Sequence, residues 1–190
     1  MTATTPRRLI GIVGPPGAGK STMAARLAAA DPGAAVLPMD GFHLPQARLR
    51  ELGRRERMGA PDTFDVEGFV RVLRALRGSR ETVLAPGFDR SIEEPVPDAI
   101  ELGRGIQTVY VEGNYLLHDR DGWELVAPLL DETWYLLLDD EVRRRRLLAR
   151  HLSSGKTPDA AAAWVDTVDE PNARLVAASA ARATRTLAVD

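Results

Sequence analysis

The chain has 190 residues, 44% of them hydrophobic, and a formal net charge of −2, which suits one domain better than two and excludes a nucleic-acid binder that works by bulk electrostatics. With no cysteine, disulfides, thiolate metal sites and cysteine nucleophiles are ruled out. No apolar run approaches the roughly 20 residues that span a bilayer and the opening MTATTPRRL lacks a signal-peptide core, so the expectation is a cytoplasmic protein with no membrane partner.

Arg8–Gly14 is short, apolar and β-branched, the pattern of a buried strand, and the glycine-rich GPPGAG follows it. From Lys20 the sequence KSTMAARLAAA reads as a helix that ends before Asp31-Pro32-Gly33. Ala34–Leu37 reads as a second strand with Asp40 just past its end. Gly41–Pro61 is polar and Arg-rich, with a helical piece at Ala47–Met58, and 41–64 is read as an acceptor-side insertion. Asp65 caps a helix in which Val66, Phe69, Val70, Leu73 and Leu76 recur at helical spacing. Strands are expected at Thr82–Ala85, Ile106–Val111 and Thr133–Leu138, with a short helix at Trp123–Leu130 between the last two. Two or three helices then fill Glu141–Ala183, and Thr186–Val189 closes the sheet. Apolar strands that alternate with amphipathic helices imply right-handed βαβ units. The expected fold class is α/β, a three-layer α/β/α arrangement with a mostly parallel sheet, forming one domain over 1–190.

Gly14-Pro15-Pro16-Gly17-Ala18-Gly19-Lys20-Ser21 matches the phosphate-binding pattern G-x-x-x-x-G-K-[ST] between an expected strand and an expected helix. Glycines let successive amides turn toward phosphates, and the helix N-terminus adds a positive dipole end. Lys20 is suited to the β- and γ-phosphates and the Ser21 hydroxyl to Mg²⁺, so the nucleotide-binding set runs from Gly14 through Thr22. Lysine occurs only at Lys20 and Lys156, and in an Arg-rich chain a lysine is the stronger signal.

Ligands of open α/β sheets sit beyond the carboxyl ends of strands, where Asp40 and Glu112 fall. Glu112 suits Mg²⁺ or its water shell, and Asp40 suits proton acceptance from an attacking hydroxyl. On a helical wheel Arg143, Arg146 and Arg150 share one arc, opposed by Val142, Leu148, Ala149 and Leu152. That arc is either a solvated face or a lid, over 141–157, which brings charge to a moving phosphoryl group. His43 either faces the acceptor or has no role. Tyr115 lines the site or packs in the core, while His118 and His151 read as structural or surface groups. Trp123, Trp134 and Trp164 read as core or interface packing.

Taken in order, GPPGAGKS, MDGFHLP, GAPDTFD, FDRSIEEP, VYVEGNYLL and the Arg-rich helix resemble the uridine kinase, phosphoribulokinase and bacterial pantothenate kinase superfamily. The nearest likeness is to its bacterial nucleoside/nucleotide kinase-like, sugar-transport-associated subgroup. The resemblance implies an ATP- and Mg²⁺-using kinase whose small-molecule hydroxyl acceptor is a nucleoside, a sugar or a pantothenate-like alcohol. It implies Asp40 as general base, Asp62 and Phe64 as acceptor-pocket lining, and Asp89 and Arg90 on acceptor hydroxyls or developing charge. It further implies Arg146 and Arg150 as lid arginines, and Asn172 and Arg174 near the adenine. Two features depart from the relatives: Gly59-Ala60 stand where the nucleoside kinases carry a histidine, and no pantothenate-type extension follows Asp190. A P-loop NTPase acting as a conformational switch or assembly factor is the alternative, although no N-K-x-D guanine-reading motif is present. A homodimer stays open.

Overall fold

The computed structural model describes residues 6–190; Met1–Thr5, part of the segment read above as lacking a signal-peptide core, lie outside them. Five strands form one sheet: β1 (Arg8–Val13), β2 (Ala34–Pro38), β5 (Thr108–Gly113), β6 (Glu132–Leu137) and β7 (Arg185–Ala188). Their order is β2-β5-β1-β6-β7 and every pairing is parallel. The α/β reading of the sequence therefore holds. Alternation along β1 decides which side each residue serves. Leu9 and Val13 join the larger core with Leu37, Phe69, Leu73, Val111 and Trp123. Ile10 and Ile12 join Ala24, Tyr110 and Leu136 on the other face. Helix α1 (Lys20–Ala29) covers that second face, and α3 (Val66–Gly78) the first. The Asp65 carboxylate caps α3 by accepting from Gly68 N at 2.8 Å, as its sequence position implies.

Several elements differ from expectation for local reasons. The helical piece at Ala47–Met58 is only α2 (Gln46–Glu51), because Gly53 turns the chain with φ of +64° before a 3₁₀ turn at Arg55–Arg57. Trp123–Leu130 is two 3₁₀ turns, Trp123–Leu125 and Ala127–Leu129, and Pro128 inside the second lacks the N–H that a continuous α-helix would need there. The strand expected at Thr82–Ala85 extends as β3 (Val83–Asp89) and pairs antiparallel with β4 (Glu94–Leu102), a separate two-stranded ribbon. Strand β4 went unread because Pro95, Pro97 and acidic residues occupy it, tolerable only on an edge. After β6 come α4 (Asp140–Ser153), α5 (Pro158–Trp164), a π turn over Val165–Asp169 and α6 (Glu170–Ala177).

Buried Arg7 ties the amino end of β1 to its surroundings, donating to the carbonyls of Ile106, Ser79, Arg80, Glu81, Leu102 and Gly103 at 2.7–3.3 Å. Among the described residues no helix is long and apolar enough to cross a membrane.

Candidate active site

Strand register assembles the site. Ile12 of β1 and Pro38 of β2 both pair with Glu112 of β5. The loop after β1, the turn after β2 and the end of β5 thus meet at one edge of the sheet. The loop Gly14–Gly19 leads into α1, with Gly17 at φ +84°. A side chain there would also come within 2.9 Å of Leu147 and 3.1 Å of the Arg143 carbonyl, so glycine is required twice over. Lys20 is buried and donates to the Pro15 carbonyl at 3.1 Å. Burial brings its ammonium down to about 8, although Glu112 and Asp40 pull the other way. Ser21 Oγ donates to Glu112 Oε1 at 2.8 Å. Glu112 is itself buried, and burial followed by the Asp40 charge raises its carboxyl above the usual range.

Asp40 sits in a 3₁₀ turn, Met39–Phe42, just past β2. A Cβ on Gly41 would lie 2.0 Å from the Pro86 carbonyl oxygen, so this turn packs against β3 only with glycine beside the aspartate. From the end of β3, Arg90 Nη2 donates to Asp40 Oδ2 at 2.5 Å. The insertion closes over this corner through Leu44 N to Thr63 O, 2.9 Å, and Asp65 N to Phe42 O, 2.7 Å. These bonds bring Phe64 against His43, with the rings stacked at 4.0 Å and Phe88 5.0 Å away on β3. His43 is held toward its neutral form by burial. Two polar tips secure the insertion from below: Tyr115 donates its hydroxyl to the Gly59 carbonyl at 2.5 Å, and Trp123 Nε1 donates to the Pro61 carbonyl at 3.2 Å. Both rings flank Phe64.

The loop after β1, the turn after β2, the end of β5 and the insertion border a cleft of about 230 Å³, and Tyr115 and Trp123 stay buried off its lining. Of the residues singled out from sequence, Pro16, Gly17, Lys20, Ser21, Asp40, His43, Phe64, Arg90, Glu112, Arg150 and Asn172 are on its walls. Gly14 and Ala18 are buried beneath, and Pro15, Gly19 and Thr22 lie off the lining. Asp62 is turned away, paired with Arg54 at 3.3 Å and Arg57 at 2.6 Å. Asp89 is likewise engaged elsewhere, accepting from Ser91 N and Ser91 Oγ at 2.8 and 2.6 Å. Asn172 and Arg174 part company: Arg174 borders a second hollow with Tyr135 and Glu170.

The reading of α4 needs correction. Its buried face is Arg143, Leu147 and His151, while Leu148 and Leu152 are exposed. Arg143 is interior because Asp140 and Glu170 neutralise it, at 3.0 and 2.6 Å. Arg146 Nη2 donates to the Asp190 carbonyl at 2.5 Å and stands outside the cleft lining. Of the three arginines placed on one arc, Arg150 alone lines the cleft. Residues missed from sequence stand beside it. His151, expected to be structural or superficial, is buried with Nε2 2.7 Å from Asp169 Oδ2. Trp164, expected to be packing, lines the cleft with Lys156, Ser154 and Asp169. Their one available signal was the rarity of lysine.

No family model matches the chain. The ATP-dependent kinase-like protein notR' of Aspergillus versicolor is 43% identical over 133 residues, 66% of this chain and 77% of that protein. A proposed uridine kinase of Schizosaccharomyces pombe is 37% identical over 160 residues, covering 78% and 68%. The crystal structure of a proposed fructose transport system kinase from Silicibacter sp. TM1040 superposes with a TM-score of 0.90 at 38% identity, over 98% of this chain and 92% of that one. With this fold, this phosphate-binding loop and these relatives, the chain belongs to the P-loop kinases of the uridine kinase and phosphoribulokinase superfamily.

Proposed function

We propose that this protein transfers the γ-phosphoryl group of ATP to a hydroxyl of a small molecule. The observation that carries the reading is the sharing of one cleft by Lys20, the Ser21–Glu112 pair and Asp40. The relatives named an ATP-dependent kinase-like protein, a uridine kinase and a fructose transport system kinase support ATP as donor and a hydroxyl compound as acceptor.

In this reading the loop amides and Lys20 hold the phosphates. The acceptor enters along His43, Phe64 and Arg90, and its hydroxyl takes the place of the Arg90 guanidinium at Asp40. Asp40 accepts the hydroxyl proton as the oxygen bonds to the γ-phosphorus, and the bond to the bridging β-phosphate oxygen breaks to release ADP. Arg150 faces the charge that builds on the moving group. Ser21 Oγ and the Glu112 carboxylate are hard oxygen donors and fit Mg²⁺, which takes one or two carboxylates and completes its shell with water and phosphate. When bound, the ion would neutralise charge on the β- and γ-phosphates.

The test is ADP release from ATP with and without a panel of nucleosides, sugars and vitamin alcohols. Thermal shifts with a non-hydrolysable ATP analogue would select that panel. Acceptor-dependent ADP release is expected. Slow hydrolysis that no acceptor accelerates would instead favour a conformational switch.

A further inference from the structure

Lysine occurs twice in 190 residues, and both copies line the same cleft. Lys20 comes from the loop after β1. Lys156 comes from a different element, the turn where α4 hands over to α5. Its backbone is fixed there: Gly155 N donates to the Leu152 carbonyl at 3.0 Å and Lys156 N to the His151 carbonyl at 3.1 Å. His151 is pinned in turn by Asp169 at 2.7 Å. The side chain then runs to Trp164, with Nζ 4.7 Å from the ring centroid.

The other cations of the cleft are engaged with oxygen. Arg90 holds Asp40, Lys20 holds the Pro15 carbonyl, and Arg150 faces Asp169 at 3.9 Å. Among the described residues, Lys156 shows an ion pair with no carboxylate and rests on an indole face. That contact holds an ammonium more weakly than a charge-assisted hydrogen bond to an anionic oxygen does, so a phosphate arriving in the cleft outcompetes the ring. The stem of four methylenes gives the ammonium freedom to leave while its backbone stays anchored.

We propose that Lys156 is a second phosphate-binding ammonium of this cleft, held on Trp164 while the cleft is empty and passed to a phosphate oxygen of the bound nucleotide when it fills. The proposal rests on the phosphotransferase reading above and adds to it a residue and a motion. The transfer is purely electrostatic; no bond to Lys156 forms or breaks. The indole that loses its cation reports the event, so Trp164 becomes an internal probe of occupancy.

The experiment is titration with a non-hydrolysable ATP analogue, followed by intrinsic fluorescence and, independently, by calorimetry. Trp164→Phe serves as the blank for Trp123 and Trp134. A saturable change in the Trp164 signal is expected in the wild type, and its loss in Lys156→Met although the analogue still binds. In kinetics, Lys156→Met should lower kcat/KM for ATP by about tenfold or more, with Lys156→Arg recovering most of it. A Lys156→Met enzyme within about twofold of wild type overturns the proposal, and so does a Trp164 signal that survives that substitution. Fluorescence and calorimetry need no turnover, so these arms decide the role of Lys156 even if no acceptor is phosphorylated. Failure of the wild type to bind the analogue at all would overturn the nucleotide site itself, and Lys156 with it.

Discussion

Replacing Lys20 with methionine should make the empty protein more stable and useless for binding phosphate. Methionine keeps the length and apolar stem of the lysine and deletes the charge. Burial displaces the ammonium from 10.5 to about 8, a shift that weighs about 3 kcal/mol against the charged form. That figure is already net of the attraction from Glu112 and Asp40. The net gain at pH 7 is about 1–3 kcal/mol, or about 3–10 °C in thermal midpoint for a domain of this size. The pH dependence separates this cause from any other. Below pH 8 lysine is protonated in both folded and unfolded chains, and the wild type carries the whole penalty. Between about 8 and 10.5 the unfolded chain binds the proton that the folded one has released, so wild-type stability rises with pH. The gap to Lys20→Met should therefore close between pH 8 and 10.5. Thermal melts at pH 7 and pH 9.5, with and without a non-hydrolysable ATP analogue, make the measurement, and the analogue should raise only the wild-type midpoint. A variant no more stable than wild type at pH 7, or a gap that ignores pH, would refute the reasoning.

Other perturbations divide the site by role. Asp40→Asn should keep affinity for the ATP analogue and reduce kcat by about 10²-fold or more; a loss of analogue binding with kcat intact would make Asp40 a nucleotide or metal ligand instead. Arg150→Ala should lower kcat more than it raises the KM for ATP, while Arg146→Ala, with its guanidinium on the Asp190 carbonyl, should act mainly on stability; equal kinetic losses in steady-state assays would contradict the placement of the two. Gly41→Ala forces a Cβ to within 2.0 Å of the Pro86 oxygen and should cost about 2–4 kcal/mol in urea denaturation. A smaller cost would mean that the turn and β3 separate easily.

The parallel sheet was readable because its strands are buried on both faces and so appear as short apolar β-branched runs. The ribbon of β3 and β4 was only half readable, since β4 earns its place by hydrogen bonds and keeps most of its side chains in solvent. Periodicity failed on α4 for a related reason. A helical wheel assigns arginines to the outside, and nothing local announces that Glu170, 27 residues on, will neutralise Arg143 inside. The arc that reads as one charged face is split between an interior ion pair, a tie to Asp190 and a single cleft residue.

The loop that holds phosphates is a local pattern, and the two strand-end acids follow from topology, so those parts of the candidate site were legible. The part of the lining between His151 and Asp169 was not. Trp164 and Asp169 are five residues apart, just past an alanine run, and would sit about 140° apart on an ideal wheel, which assigns them different surroundings. The π turn over Val165–Asp169 widens the local repeat to i→i+5, and both residues line the cleft. That local widening also brings the Asp169 carboxylate to His151, and His151 in turn fixes the backbone of Lys156. One irregular turn, invisible to any fixed period, thus accounts for the aromatic and the carboxylate of this wall together, while Lys156 is anchored by the turn that closes α4. Such widened turns recur at functional sites, where a regular helix would have aimed at least one of the groups elsewhere.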